Sequence, residues 1–215
     1  MALKNTQQDN TFLTILADGT IRMSVPEFTE GAVTRDYETS DGKTGTKHEL
    51  VYTELSGIIS KVAFYEGSFG KSLQLTVTDE GADYVLSLPT ASNFGEDMMK
   101  KLLSVDITQP VRIVPYAFVD DKGKNKKGIT LYQNDVKVKN YFQEGEGKDS
   151  VRLHGYPEVP AGHGKKAPTT DDWKLHFMSA RVFMINFITE KLALDVKVKE
   201  EDWSPDTKAA DGHEM

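Results

Sequence analysis

The run Glu49-Leu-Val-Tyr-Thr-Glu-Leu-Ser-Gly57-Ile-Ile-Ser-Lys-Val-Ala-Phe-Tyr65 decides how the rest of the chain is read. Much of it alternates apolar with polar residues, the period of a strand with one buried face. The alternation breaks at Gly57-Ile-Ile59. A glycine inside a long strand suits a sharp bend, where one strand serves two sheets. After the turn Glu66-Gly-Ser-Phe-Gly70, strands are predicted over Ser72–Thr78 and Ala82–Leu88. Leu73, Leu75 and Val77 form one face of the first, and Tyr84, Leu86 and Leu88 share a face of the second.

A helix is predicted over Phe94–Val105, capped by Ser92 or Asn93, with Phe94, Met98, Leu102 and Val105 along one stripe. Two further strands, Val111–Val119 and Gly128–Val138, flank the tip Asp120-Asp-Lys-Gly-Lys-Asn-Lys-Lys-Gly128. Pro115 cannot donate to a ladder, so it predicts an edge, a bulge or an opening. Three strands, a helix and two strands over residues 47–142 is the order of a five-stranded OB-fold barrel, the oligonucleotide/oligosaccharide-binding kind, in which the helix closes one end. The expected fold class is therefore mainly β, a barrel with a capping helix, an N-terminal β-hairpin extension and a C-terminal helix.

The flanks divide by composition. Residues 1–46 read as a β-ribbon and loop packing on the barrel, with Ala17-Asp-Gly19 as a hairpin turn. Strands near Ala32–Thr39 and Thr46–Tyr52 allow a second hairpin there. Residues 143–170 read as a long loop. Residues 171–199 hold a helix, Asp172–Lys191, and a short strand. The helix stripe is Trp173, Phe177, Ala180, Met184 and Ile188, widened by Leu175, Met178, Val182, Phe183, Ile185 and Phe187. Such a helix needs cover on several sides, from the barrel, the ribbon or a second copy of the chain, so a homo-oligomer is one expectation. Residues 200–215 have too little apolar content to pack and read as a flexible acidic tail.

Of 215 residues, 38% are hydrophobic and 27% charged, and the net charge is -7. Its distribution is uneven. Residues 110–142 are net basic through Arg112, Lys122, Lys124, Lys126, Lys127, Lys137 and Lys139, whereas residues 195–215 are net acidic. The absence of cysteine excludes disulfides and thiolate metal sites. The N-terminus has no apolar signal core and no run is long enough to span a bilayer, so a cytoplasmic location without membrane contact is expected. Five histidines show no metal-ligand spacing, and Gly42-Lys-Thr44 lacks the glycines of a phosphate loop. No enzyme activity, metal or cofactor is expected.

Nucleic-acid binding is the better-supported chemistry. Lys122, Lys124, Lys126 and Lys127 sit on a hairpin tip beside barrel strands, and mobile positive charge is what phosphates require. Arg112, Lys137 and Lys139 extend the track. Unpaired bases also need aromatic platforms, for which Tyr65, Phe69, Tyr84, Tyr116, Phe118, Tyr132 and Tyr141 are the candidates. As strand phenylalanines, Phe64 and Phe118 read first as core. A tail bearing Glu200, Glu201, Asp202, Asp206, Asp211 and Glu214 can mimic a phosphate backbone, compete for the basic site and be released to partner proteins.

In the barrel order over Lys47–Tyr141 and the acidic tail over Glu200–Met215, the chain resembles bacteriophage single-stranded DNA-binding proteins. That resemblance implies sequence-independent binding of single-stranded DNA in replication, recombination and repair. It also implies tail contacts with polymerase or primase-helicase proteins, in a host cytoplasm. The ending Gly212-His-Glu-Met215 departs from it, lacking the aromatic terminus of such phage proteins. The rival expectations are a viral structural or assembly protein built on a small β-barrel, with the C-terminal helix as subunit contact, and a barrel module that binds protein or sugar.

Overall fold

A computed structural model describes residues 11–39, 42–67, 70–145, 150–162 and 167–194, and the backbone of Lys197–Val198. The architecture is mainly β with two helices. In chain order the elements are β1 (Thr11–Ile15), β2 (Ile21–Ser24), β3 (Val33–Glu38), β4 (Thr44–Tyr52), β5 (Leu55–Gly67), β6 (Gly70–Asp79), β7 (Ala82–Pro89), α1 (Asn93–Leu102), β8 (Val111–Val119) and β9 (Asn125–Gln133). They continue as β10 (Val136–Lys137), β11 (Gln143–Glu144), β12 (Val151–Arg152), α2 (Thr170–Lys191) and β13 (Lys197–Val198).

Gly57 is the switch between two ladders. Leu55–Gly57 pair with Ile113–Val111 of β8, and from Ile58 onward β5 pairs with β6. The glycine has φ 147°, and a Cβ there would lie 2.6 Å from the carbonyl oxygen of Thr78, so no other residue fits the bend without strain. A register shift between Ile59 and Lys61 then changes which parity faces inward. Beyond it Val62 and Phe64 oppose Leu75 and Leu73 on the core side.

The five central strands run in the order β9-β8-β5-β6-β7, but among the described residues no ladder joins β7 to β9. The mainly-β expectation with a capping helix thus holds, with extra strands on the path and no closing ladder among the described residues. The edge of β7 is occupied by β1, which pairs parallel to it from Thr11↔Tyr84 to Thr14↔Ser87 and carries β2, β4 and β3 beyond. The β1–β2 turn packs against β8, where a Cβ on Gly19 would lie 2.6 Å from the backbone nitrogen of Ala117.

The free edge of β9 is met by side chains of α1. The Asp97 carboxylate accepts from the Ile129 N–H at 2.7 Å, and the Lys101 ammonium donates to the Ile129 carbonyl. Both backbone groups of Ile129 thus point away from β8, so Pro115, its partner in register, owes that strand no hydrogen bond. Ser92 caps α1 by accepting from the Gly95 N–H at 3.0 Å, and Phe94, Met98, Met99 and Leu102 are buried in one continuous core with strands β5 to β9.

Helix α2 starts at Thr170, two residues before the expected Asp172, and is capped by Thr169. Thr169 and Asp172 form a reciprocal capping box, the Asp172 N–H donating to Thr169 Oγ1 at 3.2 Å and the Thr169 N–H to Asp172 Oδ2 at 2.8 Å. Ala180, Met184, Ile185 and Ile188 enter the core, but Trp173 and Phe177, expected on the same stripe, remain substantially exposed. Leu175, Met178 and Val182 are exposed as well. The long loop is more structured than its composition suggests: Leu153 N–H donates to the Phe142 carbonyl at 3.0 Å, and Tyr156 is buried against Phe142 and Phe183.

Candidate nucleic-acid interface

Strands β8 and β9 pair from Arg112↔Tyr132 to Val119↔Asn125. Residues two apart share a face, so Arg112, Val114, Tyr116 and Phe118 project together from β8. Lys126, Gly128, Thr130 and Tyr132 project beside them from β9. Ile113, Ile129 and Leu131 of the opposite face are fully buried, which turns the first set away from the core. Lys137 of β10 lies opposite Tyr132 and extends the same row.

This face interleaves cations with rings. The Arg112 guanidinium lies 4.3 Å from the Tyr132 ring centroid, close enough for a cation–π contact. Tyr116 and Phe118 are 5.8 Å apart between centroids and tilted. Phe118, expected in the core, is 56% exposed. The parity of β8 explains the correction, because Ile113 and Pro115 take the buried face and leave the even residues outside. The strip from Arg112 to Phe118 is about 20 Å long at the ordinary rise of a strand.

The hairpin tip is held by one aspartate. Asp120 Oδ1 accepts from the Lys122 N–H at 3.0 Å and from the Lys124 N–H at 2.8 Å. Its Oδ2 lies 3.8 Å from the Lys126 ammonium. Lys122, Lys124 and Lys126 are exposed. Lys127 is half-buried and, as the next residue in the strand, turns to the other face, so the four lysines do not act from one side. Arg112 is engaged by Glu54 at 3.5 Å and Asp135 at 3.7 Å. Exposed pairs of this kind hold little energy, and a phosphate can take their place.

Tyr116 is more constrained than its neighbours. Burial, and then the nearby Asp97 carboxylate, push its phenol pKa up, so it remains a protonated donor at neutral pH. Gly128 lies opposite it, and a Cβ there would come within 2.6 Å of both the Tyr116 hydroxyl and Asp97 Oδ2.

A second outward patch joins strands distant in sequence. Lys61↔Thr76, Thr76↔Val85 and Val85↔Phe12 form one row across β5, β6, β7 and β1. Tyr65 lies on the same face, and with Phe12, Lys61 and Gln74 it borders a cleft of about 100 Å³. Phe12 is 60% exposed and is an additional ring beyond the platforms expected from sequence. Its outward setting was legible in the alternation with Leu13, but its neighbourhood depends on the parallel β1–β7 pairing. β13 pairs alongside β5 at Lys197↔Tyr65 and Val198↔Glu66, so the chain reaches this end of β5 just before its acidic segment.

Two proposed platforms take other positions. Tyr84 turns to the core side of β7 with Leu86 and Leu88, and lines a cavity of about 370 Å³ with Tyr52, Leu13, Ile21 and Leu55. Tyr141 stacks on His154, with centroids 4.3 Å apart, and packs against Phe142 and Phe187. Lys139 is exposed beyond β10. Phe69 and the tail residues Glu200, Glu201, Asp202, Asp206, Asp211 and Glu214 lie outside the described residues.

Among the described residues no group of three or more His, Asp or Glu side chains is arranged to hold a metal, and no helix is long and apolar enough to cross a membrane. No protein-family model, no curated protein and no solved structure matches the chain.

Proposed function

We propose that the protein binds single-stranded DNA without sequence preference, using the outward face of β8, β9 and β10. One observation carries the reading: Lys137, Tyr132, Arg112, Tyr116, Phe118 and Lys126 share a face in an unbroken register. Alternating charge and ring is what an unpaired strand needs, since lysine and arginine take the phosphates while any base can stack on a tyrosine or phenylalanine. The lysine tip at 122–126 extends the track beyond the strands. The central strands follow the pairing order of an OB-fold, which supports reading them as such a barrel with β1 and α1 standing in for the closing ladder. Replication, recombination or repair of DNA, in a phage-infected cell, is the setting this activity fits.

The acidic segment 200–215 is proposed as a competitor for the basic face and as a contact for replication proteins such as a polymerase or primase-helicase. The test is titration of labelled oligo-dT. Micromolar or tighter binding is expected, weakening steeply with salt and tightening when residues 200–215 are deleted. No binding at low salt to oligo-dT, duplex or RNA would sink the proposal.

A second reading rests on α2. Exposed Leu175, Met178 and Val182 follow one helical stripe, which suits a subunit contact in a viral assembly protein. Sedimentation separates the two readings. A stable oligomer that ignores oligo-dT favours assembly, and a species that binds oligo-dT favours the first.

A further inference from the structure

Between α1, α2 and the β8–β9 hairpin lies a cleft of about 440 Å³, bordered by Asn93, Tyr116, Lys127, Phe177 and Arg181. Its volume falls in the range of sites that hold a nucleotide-sized ligand. The carboxylates beside it are committed elsewhere. Glu96 Oε1 holds the Lys100 ammonium at 2.5 Å, and Asp97 holds Lys101 at 2.7 Å together with the Ile129 N–H. Among the described residues neither the Lys127 side chain nor the Arg181 side chain has a hydrogen-bond or ion-pair partner. The Arg181 Nε is shielded from solvent and has no protein acceptor. A sheltered guanidinium donor without an acceptor is rare in folded proteins unless a ligand group or ordered water meets it.

The walls supply rings as well as charge. Phe177 is 45% exposed on α2 and stacks against Trp173 with centroids 5.8 Å apart. Tyr116 belongs both to this cleft and to the outward strip, through its contact with Phe118. Tyr116 therefore joins the strip to the cleft.

We infer that the cleft takes a phosphodiester and base of the bound single strand, with Lys127 and Arg181 on the phosphate and Phe177 beside the base. This rests on the single-strand reading and gives α2 a second role as one wall of the binding path. It also gives Lys127 a purpose apart from the tip lysines.

The test uses the full chain carrying Trp203→Phe, which leaves Trp173 as the sole tryptophan. Oligo-dT is expected to change Trp173 emission saturably, with the midpoint seen by anisotropy of a labelled oligo. Lys127→Gln with Arg181→Gln is expected to weaken binding several-fold and to lower the slope of log affinity against log salt by about 1.4, for two lost contacts to a single strand. Arg181→Lys should retain the slope, which separates lost charge from lost folding. Unchanged affinity and slope in the double variant, beside normal wild-type binding, would overturn the cleft alone. So would an equal Trp173 response to thymidine monophosphate or inorganic phosphate at oligo concentrations, because that would mark a free-nucleotide or anion site. No oligo-dT binding by the wild type would remove the function and the cleft together.

Discussion

The molecule carries two sets of aromatic residues with opposite surroundings. Phe142, Tyr156, Phe183 and Phe187 meet one another edge-on or tilted, with centroids 5.4 to 5.9 Å apart, where the long loop folds under α2. Tyr116, Phe118 and Tyr132 project from β8 and β9, Tyr132 beside Arg112, Phe118 opposite Lys126 and Tyr116 near the Asp97 carboxylate. The first set has filled its faces with other rings. The second lies on the outward side of its strands, with one face of Tyr132 under Arg112. Aromatic content alone therefore says nothing about base stacking, and the position of the core decides which rings are free.

The comparison is broken most severely by removing the centre of the inner set. Phe142 is fully buried, and Phe142→Ala should cost about 3–5 kcal/mol of stability. Denaturant unfolding measures this, and a loss under about 1 kcal/mol would mean that the loop and α2 do not depend on that ring. Among the outer rings, Tyr132→Ala or Phe118→Ala should weaken oligo-dT binding by about 1–3 kcal/mol each. Their melting temperatures should stay near wild type. Reduced stability with unchanged affinity would move these rings into the structural set.

Charge sharpens the same division. Replacing Lys122, Lys124 and Lys126 together by glutamine should lower the salt slope by about 2 if all three meet phosphate, with little change in unfolding. An unchanged slope would make the tip an ordinary solvated hairpin. The smallest effect is expected far from the strip. Arg35 donates to both oxygens of Glu49, at 2.9 and 2.8 Å, and this hydrogen bonding holds the Glu49 pKa below the usual carboxylate range. A depressed carboxyl stabilises the fold above its unfolded pKa, and the contribution is lost as pH falls through the folded value. Because Arg35 is about a third exposed, Arg35→Gln should cost only about 1 kcal/mol at neutral pH. The gap between variant and wild type should close as the pH falls below about 4. A gap that persists in acid would assign the loss to packing.

Much of the fold was legible because its signals are local. Gly57 marked the point where one strand changes ladder, Ser92 the helix start, and the alternation of Leu73, Leu75 and Val77 the buried face of β6. The shared face of Tyr116 and Phe118 followed from strand period alone. What period does not give is which face is buried, and the core reading of Phe118 rests on residue type alone. Tyr84 was grouped with Leu86 and Leu88, and the burial of those leucines fixed its side. Lys127 looked like a fourth tip lysine until its parity separated it from Lys126.

The sequence by itself determined the order of both helices and of the strands up to β9, the charge separation between residues 110–142 and 195–215, and the bend at Gly57, since each depends on neighbours a few residues apart. The expected single strand Gly128–Val138 instead turns back at Asn134-Asp135 into β10, and β11 pairs with β12 where a loop was expected. The tertiary structure decided how the sheet edges end. β1 on β7 and the Asp97–Lys101 pair on Ile129 are long-range choices between equally satisfied backbone groups. It also decided that Phe12 and Tyr65 border one cleft and that Arg181 and Lys127 border another, because such neighbours arise only when distant segments share one core.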